Sequence, residues 1–171
     1  MISTTSRVLS QFTLRSVESS DEQSLFQIYA STRVEELAQV DWDAAQRESF
    51  LRMQFTAQTR YYHSEYPGAV FQVIWVEGAI AGRLSVHRRD QEIRIMDIAL
   101  LPDFRRRGIG TQLIRTIQDE AVRDGKCVTI HVESFNPAQQ LYERLGFQKV
   151  ASNGVYHLME YRMSPSAEVK S

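Results

Sequence analysis

The chain has 171 residues, which is enough for one domain with a hydrophobic core. Its hydrophobic content of 43% and charged content of 24% are typical of a globular protein, and its net charge of −1 argues against a general nucleic-acid-binding surface. The single cysteine, Cys127, excludes an intrachain disulfide and a cysteine metal cluster, and the four histidines lack metal-ligand spacing. We therefore expect a cytoplasmic protein with no metal, no nucleic-acid partner and no membrane segment.

The first half of the chain combines helical and strand patterns. Ser19, Ser20 and Asp21 are typical helix-capping residues, residues 34–42 form a polar connection, and Glu77-Gly78 is a two-residue hairpin turn. The elements predicted here are a strand over 12–17, a helix that follows Asp21 to about 33, a helix over 43–62, and strands over 70–76 and 79–86.

The second half alternates strands with helices. Its longest helix has apolar residues at the 3.6-residue period, at 109, 113, 114, 117, 121 and 122, and ends at Gly125. Asn136 and Pro137 are suited to the start of the next helix. The predicted elements are a strand over 92–101, a helix over 108–124, a strand over 127–133, a helix over 137–145, and strands over 147–151 and 155–163.

This order, β-α-α-β-β-β-α-β-α-β-β, predicts a single-domain α/β protein with a mixed sheet flanked by helices. We expect the domain to span residues 12–163. An N-terminal extension over 1–11 would precede it, and a flexible C-terminal tail over 164–171 would follow it.

A basic turn joins the strand that ends near Leu101 to the longest helix. It contains Arg105, Arg106 and Arg107, and then Gly108 and Gly110 at the start of the helix. A helix N-terminus binds anions, and glycine lets the backbone approach a ligand closely. The turn lacks the third glycine of a dinucleotide fingerprint and the Gly-Lys-Ser/Thr of a P-loop. Because its glycines and arginines lie at a helix N-terminus, the turn is suited to a pyrophosphate group. A tight structural turn is the alternative interpretation.

Two motifs together resemble one family. Arg105-x-x-Gly108-x-Gly110 resembles the Arg/Gln-x-x-Gly-x-Gly/Ala signature of the GCN5-related N-acetyltransferase (GNAT) superfamily. The run Asn136-Pro-Ala-Gln-Gln-Leu-Tyr-Glu-Arg-Leu-Gly-Phe147 resembles its second signature, about one strand further along the chain. The detailed likeness covers residues 92–150, and the order of elements extends it over 12–163. The resemblance implies the acyl-CoA N-acyltransferase fold, in which the strands on either side of the turn and its helix splay apart.

The resemblance also implies acetyl-CoA as the acyl donor. Backbone amides of the turn would hold its pyrophosphate, the preceding strand would pair with its pantetheine arm, and an asparagine would add a contact. The cofactor-binding residues implied are Ile98, Ala99, Leu100, Arg105, Arg106, Arg107, Gly108, Ile109, Gly110, Thr111 and Asn136. The alternative interpretations are purely structural: a core strand for residues 98–100 and a helix cap for Asn136.

The family's tyrosine at the position of Tyr142 is the general acid for the departing thiolate, and the alternative for Tyr142 is an ordinary core position. Asp97 and His131 are candidates for the base that takes the proton of the amine, with Asp97 ranked slightly first. The alternative for Asp97 is an ion pair with an arginine such as Arg83 or Arg94. The alternative for His131 is a surface position on a strand.

Acidic and aromatic side chains suit a cationic acceptor through charge pairing and cation–π contact. The alternative for those between the first two helices is a solvated polar loop. The candidate substrate-binding residues are Glu35, Glu36, Trp42 and Glu133. The expected function is transfer of an acetyl group to a small cationic primary amine, with that small molecule as partner and a homodimer left open. The alternatives are a protein N-terminal or lysine acetyltransferase and a non-catalytic acyl-CoA sensor.

Overall fold

The computed structural model describes residues 12–163, so the predicted N-terminal extension and C-terminal tail lie outside the described residues. Two short 3₁₀ turns, Ser19–Asp21 and Pro102–Phe104, accompany the main elements. The helices and strands are β1 Phe12–Ser16, α1 Glu22–Ser31, α2 Val34–Leu37, α3 Ala44–Glu65, β2 Val70–Val76, β3 Ala79–Arg88, β4 Glu92–Leu100, α4 Ile109–Arg123, β5 Cys127–Glu133, α5 Ala138–Arg144, β6 Gln148–Ser152 and β7 Tyr156–Tyr161.

The seven strands are hydrogen-bonded in the order β1-β2-β3-β4-β5-β7-β6. Strands β4 and β5 are parallel, with Glu92 opposite Cys127 and Ile95 opposite Ile130, and helix α4 makes the crossover between them. The pairs β1–β2, β5–β7 and β6–β7 are antiparallel. This confirms the predicted mixed sheet flanked by helices.

The chain divides into two compact units. Of the described residues, one unit contains 12–85 together with 97–110, and the other contains 86–96 together with 111–163. In the first unit, α1 and α3 pack through Phe26, Tyr29 and Phe55, whose ring centroids are 5.8 Å apart in each pair with Phe55. Val73 and Ile74 of β2 are fully buried.

The core of the second unit is built on the apolar face of α4. Ile114, Ile117 and Ala121 are buried at the helical spacing that the sequence predicts, and Met159 of β7 is fully buried. Val122 was predicted on the same face but is 38% exposed, because a position adjacent to Ala121 turns about 100° away around the helix.

The first helix begins differently from the prediction. Residues 19–21 form a 3₁₀ turn, and the Asp21 carboxylate accepts hydrogen bonds of 3.0 and 2.9 Å from Arg15 and one of 2.7 Å from the Glu18 N–H. These bonds, chiefly those from Arg15, hold the pKa of Asp21 below its usual value. Asp21 therefore stabilises the turn before α1 and does not cap α1 with its side chain.

The connection over 34–42 was predicted without regular structure, but it contains α2. This helix has four residues, and its apolar anchor is Leu37, which is 7% exposed. One helical turn is too short to display a 3.6-residue period, so the sequence pattern does not reveal it. The following helix begins as predicted, since Asp43 and Gln46 form a reciprocal capping box with bonds of 2.8 and 3.0 Å.

Candidate functional site

The turn before α4 has a backbone suited to an anion. Arg106 and Gly108 both have positive φ angles, 61° and 83°, and α4 begins at the next residue, Ile109. Alternation of left-handed and right-handed residues aims successive N–H groups into one concavity, and the first-turn N–H groups of a helix have no intrahelical acceptors. A non-glycine residue in the left-handed region is strained, so the conformation of Arg106 marks a candidate functional turn.

Two arginines of this turn are tied to the protein itself. Arg105 Nε donates a 2.8 Å hydrogen bond to the Leu100 carbonyl at the end of β4. Arg107 lies 3.4 Å from the Glu77 carboxylate and 5.1 Å over the Phe104 ring. These side chains remain exposed and keep the turn electropositive, but part of their role is to attach the turn to its surroundings.

The two glycines of the motif differ in what the protein requires of them. Gly108 needs its positive φ, which other residues rarely adopt. Gly110 does not have a positive φ, and a Cβ there would meet only Leu100 Cδ1, at 4.0 Å. The fold itself therefore does not require glycine at position 110. We call the turn over residues 105–110 the cradle turn, or the cradle, because its open space lets a ligand come close to the backbone.

Strand β4 carries the predicted pantetheine-binding segment. It pairs with β5 over residues 92–95 and continues through Ile98, Ala99 and Leu100. Gly82 on β3 was not among the predicted site residues, yet a Cβ there would collide with the Ala99 carbonyl. Gly82 therefore lets β3 pass close to this segment, and an isolated glycine inside a strand was the only sequence signal for it.

Asp97 forms an ion pair with Arg83, the alternative that the sequence left open. Arg83 also donates a 3.2 Å hydrogen bond to Gln58 and lies 5.7 Å over the Tyr29 ring. Burial raises the pKa of Asp97 above the ordinary carboxyl value, while the charge of Arg83 acts in the opposite direction. Arg94 has other partners: it lies 3.6 Å from Glu92 and donates to Thr129.

His131 lies on β5, opposite Leu158 of β7, and is exposed. Its pKa is lowered from the ordinary histidine value, first by partial desolvation of the ring and then by the positive charge of Arg94, with Glu92 opposing. The imidazole is therefore neutral near pH 7 and able to accept a proton. Glu133 is two residues further along the same strand and so shares its face.

Helix α5 carries two predicted residues. Asn136 is exposed, and its Oδ1 accepts the Ala138 N–H at 2.9 Å. The predicted positions are wrong by one residue, because the helix begins at Ala138 with Pro137 at its N-cap, so Asn136 precedes the cap. Tyr142 is 6% exposed, with its ring 5.7 Å from Phe147 in an edge-to-face contact. Asn136 and Tyr142 lie in the second unit. The turn over residues 105–110 lies in the first unit, whereas Thr111, in the first turn of helix α4, lies in the second.

Some of the acidic and aromatic residues predicted to bind the substrate near α2 already contact other residues of the protein. Glu36 pairs with Arg33 at 3.2 Å, and the Trp42 ring lies 5.1 Å from Phe50. Glu35 is exposed on α2, and Trp42 keeps 37% of its surface exposed. These side chains present both negative charge and an aromatic surface to solvent.

Within residues 12–163, no three or more His, Cys, Asp or Glu side chains are grouped so that they could hold a metal ion. In the same part of the chain, no helix has the length and apolar character needed to cross a membrane.

Two curated proteins match part of the chain. The first is a probable N-acetyltransferase, san, of Drosophila melanogaster, 31% identical over 85 residues, which are 48% of this chain and 46% of that protein. The second is a putative [ribosomal protein bS18]-alanine N-acetyltransferase of Bacillus subtilis (strain 168), 30% identical over 92 residues, which are 52% of this chain and 61% of that protein. The chain thus spans about half the length of the curated relatives it matches.

Solved structures share the fold at low identity. PaiA N-acetyltransferase of Thermoplasma acidophilum, solved in complex with coenzyme A, is 14% identical with a TM-score of 0.69, covering 90% of this chain and 99% of that one. The ribosomal-protein-S18-alanine N-acetyltransferase of Escherichia coli is 19% identical with a TM-score of 0.61, covering 93% and 98%. Residues 31–147, which include the cradle turn and Tyr142, match the model of the acetyltransferase (GNAT) family, and the chain belongs to that family.

Proposed function

We propose that this protein transfers the acetyl group of acetyl-CoA to a primary amine. The observation that carries the proposal is the pair of left-handed residues, Arg106 and Gly108, directly before α4, which concentrates backbone N–H groups where a pyrophosphate would bind. Membership of the GNAT family supports the same assignment. Acetyl-CoA bound in this cradle supplies an activated acetyl thioester.

The chain's own contribution at the cradle is positioning. The hydrogen bond from Arg105 to the Leu100 carbonyl ties the end of β4 to the turn, so that the segment 98–100 and the cradle keep one relative position. Backbone groups of this segment then orient the acyl group, and Gly110 leaves room for close approach. Fixed orientation of the reacting groups lowers the barrier by reducing the entropy lost in the transition state.

We assign proton donation to Tyr142. Its hydroxyl would protonate the departing thiolate, while its ring is fixed by burial and by the contact with Phe147. A buried tyrosine ring keeps few rotamers, which suits a donor that must point in one direction.

We assign acceptance of the amine proton to His131 in preference to Asp97. Asp97 is engaged by Arg83, so that using it as a base would require this buried ion pair to rearrange. His131 is exposed, and its lowered pKa keeps the imidazole neutral at physiological pH. The structure thus supports the opposite ranking to the one expected from the sequence.

The proposed base predicts a pH dependence with a definite sign. The acidic limb of kcat/KM should fall below the ordinary histidine value of 6.5, because the pKa of His131 is lowered. Arg94→Gln removes a positive charge and should move this limb to higher pH, whereas Glu92→Gln removes a negative charge and should move it to lower pH. His131→Gln should abolish the limb. Profiles in which the two charge variants leave the limb in place would contradict the role of His131.

The acceptor we propose is a small cationic amine. In the first unit, the exposed carboxylates of Glu35 and Glu36 would attract an ammonium, and Trp42 offers a cation–π surface. In the second unit, the half-buried Glu133 is a further proposed substrate contact. A protein N-terminus that begins with alanine is the second candidate. It is favoured by the 30% identity over 92 residues to the putative bS18-alanine acetyltransferase.

The test is release of free thiol from acetyl-CoA in the presence of amines. The panel contains aliphatic diamines, amino sugars, single amino acids and peptides that begin with alanine. Fastest release with the small cationic amines supports the proposed acceptor, and fastest release with the peptides replaces it with the second candidate. No release with any amine, together with tight binding of acetyl-CoA, would overturn the proposed activity in favour of a non-catalytic sensor.

A further inference from the structure

The first unit contains a cavity that the proposed reaction does not use. It lies between helices α1 and α3 and strands β2 and β3, and its volume is about 310 Å³. Pockets that hold small molecules start at about 300 Å³. Its walls are largely apolar, with Leu25, Phe55 and Phe71 among the lining side chains, and its polar groups include Arg83 and Asp97.

The guanidinium of Arg83 has unused donors. Arg83 is 8% exposed, its Nε faces Asp97, and its Nη2 donates to Gln58 Oε1 at 3.2 Å. A guanidinium carries five N–H groups. Both hydrogens of Nη1 and the second hydrogen of Nη2 therefore have no hydrogen-bond partner among residues 12–163. Because Arg83 lines the cavity, these donors are available to a ligand that supplies acceptor atoms.

The charged residues that line the cavity are of both signs. Glu18, Glu22 and Asp97 are acidic, and Arg60 and Arg83 are basic. Asp97 faces Nε of Arg83, and Glu18 lies 3.5 Å from Arg15, outside the lining. The Nη edge of Arg83 is thus a cationic donor group that a ligand in the cavity would meet.

The apolar walls define the remainder of the ligand. Phe55 and Phe71 are aromatic, and His63 stacks on Phe71 with ring centroids 4.4 Å apart. Flat rings pack well against such surfaces in offset or edge-to-face arrangements. The volume accommodates one ring and a short polar group.

We propose that this cavity binds a small aromatic carboxylate, whose oxygens accept hydrogen bonds from Nη1 and Nη2 of Arg83 and whose ring lies between Phe55 and Phe71. Two nearly parallel N–H groups match a carboxylate in a bidentate geometry. The proposal is independent of the proposed acetyl transfer, because it concerns a different group of residues and an equilibrium that requires no acetyl-CoA.

The first test is calorimetric titration of the full chain with benzoate in the absence of acetyl-CoA. We expect saturable binding with one site per chain. Benzyl alcohol and benzylamine retain the ring but lack the carboxylate, and we expect each to bind at least about tenfold more weakly, since charge-assisted hydrogen bonds are lost. No saturable benzoate binding, or equal affinity for benzylamine, would overturn the proposal.

Two variants locate the binding in the cavity. The double change Arg83→Met with Asp97→Leu removes both charges together, which avoids leaving a buried charge without its partner. It should weaken benzoate roughly 10- to 100-fold. Thr56→Trp, on the lining face of α3, should fill the cavity and abolish binding, whereas Ala57→Trp, on the same helix but outside the lining, should not.

Thermal unfolding and acetyl-CoA affinity serve as controls of folding for each variant. Benzoate affinity unchanged by the double change or by Thr56→Trp would place the ligand elsewhere and overturn the proposal. A protein that binds benzoate without acetylating any amine would leave this cavity assignment supported and the proposed enzymatic function refuted.

Discussion

Replacing Tyr142 with phenylalanine is expected to lower kcat by about 10²- to 10⁴-fold, the usual contribution of general acid catalysis. The change removes only the hydroxyl. The ring should keep its 6% exposure and its contact with Phe147, so acetyl-CoA affinity and the unfolding temperature should stay close to those of the unchanged protein. Steady-state kinetics with the best amine of the panel, and a separate acetyl-CoA titration, measure the two effects.

Tyr161→Phe is the matched control for this experiment. Tyr161 lies on β7 with its ring 5.9 Å from Phe147, and its hydroxyl has no role in the proposed reaction. We expect its turnover to remain within a few fold of the unchanged protein. Near-normal turnover of Tyr142→Phe would show that another group delivers the proton and would remove Tyr142 from the mechanism.

Breaking the Asp97–Arg83 ion pair is expected to have the largest effect on the free energy of unfolding. Asp97→Asn leaves the guanidinium of Arg83 buried without its counter-charge and should lower the free energy of unfolding by about 3–5 kcal/mol. The double change Arg83→Met with Asp97→Leu should recover most of that loss, because no unpaired charge remains. Urea unfolding of the three proteins measures these differences.

Glu48→Gln provides the comparison for an exposed pair. Glu48 lies 3.3 Å from Arg52 on α3 and is 62% exposed, so we expect its loss to cost at most about 1 kcal/mol. If Asp97→Asn proved as stable as Glu48→Gln, the ion pair would not be a buried structural element. The main argument against Asp97 as the catalytic base would then no longer hold.

The choice between Arg83 and Arg94 as the partner of Asp97 shows how much the two-residue period of a strand can predict. Arg83 and Arg94 were both candidates from the sequence. Residues three apart on a regular strand face opposite sides, so Arg94 and Asp97 on β4 do not share a face. Arg94 instead contacts Thr129, next to it on β5. Period-two reasoning could have excluded Arg94, but the choice of Arg83 required the pairing of β3 with β4.

The turn and α4 were the most predictable part of the chain, because glycine spacing and a long apolar period both act locally. The cavity beside Arg83 could not be predicted, since it depends on how far α1 and α3 lie above the strands. Gly82 was equally hidden: its need for a missing Cβ arises from a neighbouring strand that is distant in sequence. Features created by packing between distant segments leave little trace in the local pattern.

The most direct test of the cradle is calorimetric titration of acetyl-CoA into Gly110→Val and Gly110→Ala. The fold leaves space at Gly110, with only Leu100 Cδ1 at 4.0 Å, so both variants should fold, whereas Gly108→Val would strain a backbone with φ of 83°. Alanine is compatible with the Gly-x-Gly/Ala signature and should retain binding. Valine should place methyl groups in the cradle and weaken acetyl-CoA at least about tenfold, a change that corresponds to 1.4 kcal/mol. Unchanged affinity in a well-folded Gly110→Val protein would contradict the assignment of this turn as the cofactor site.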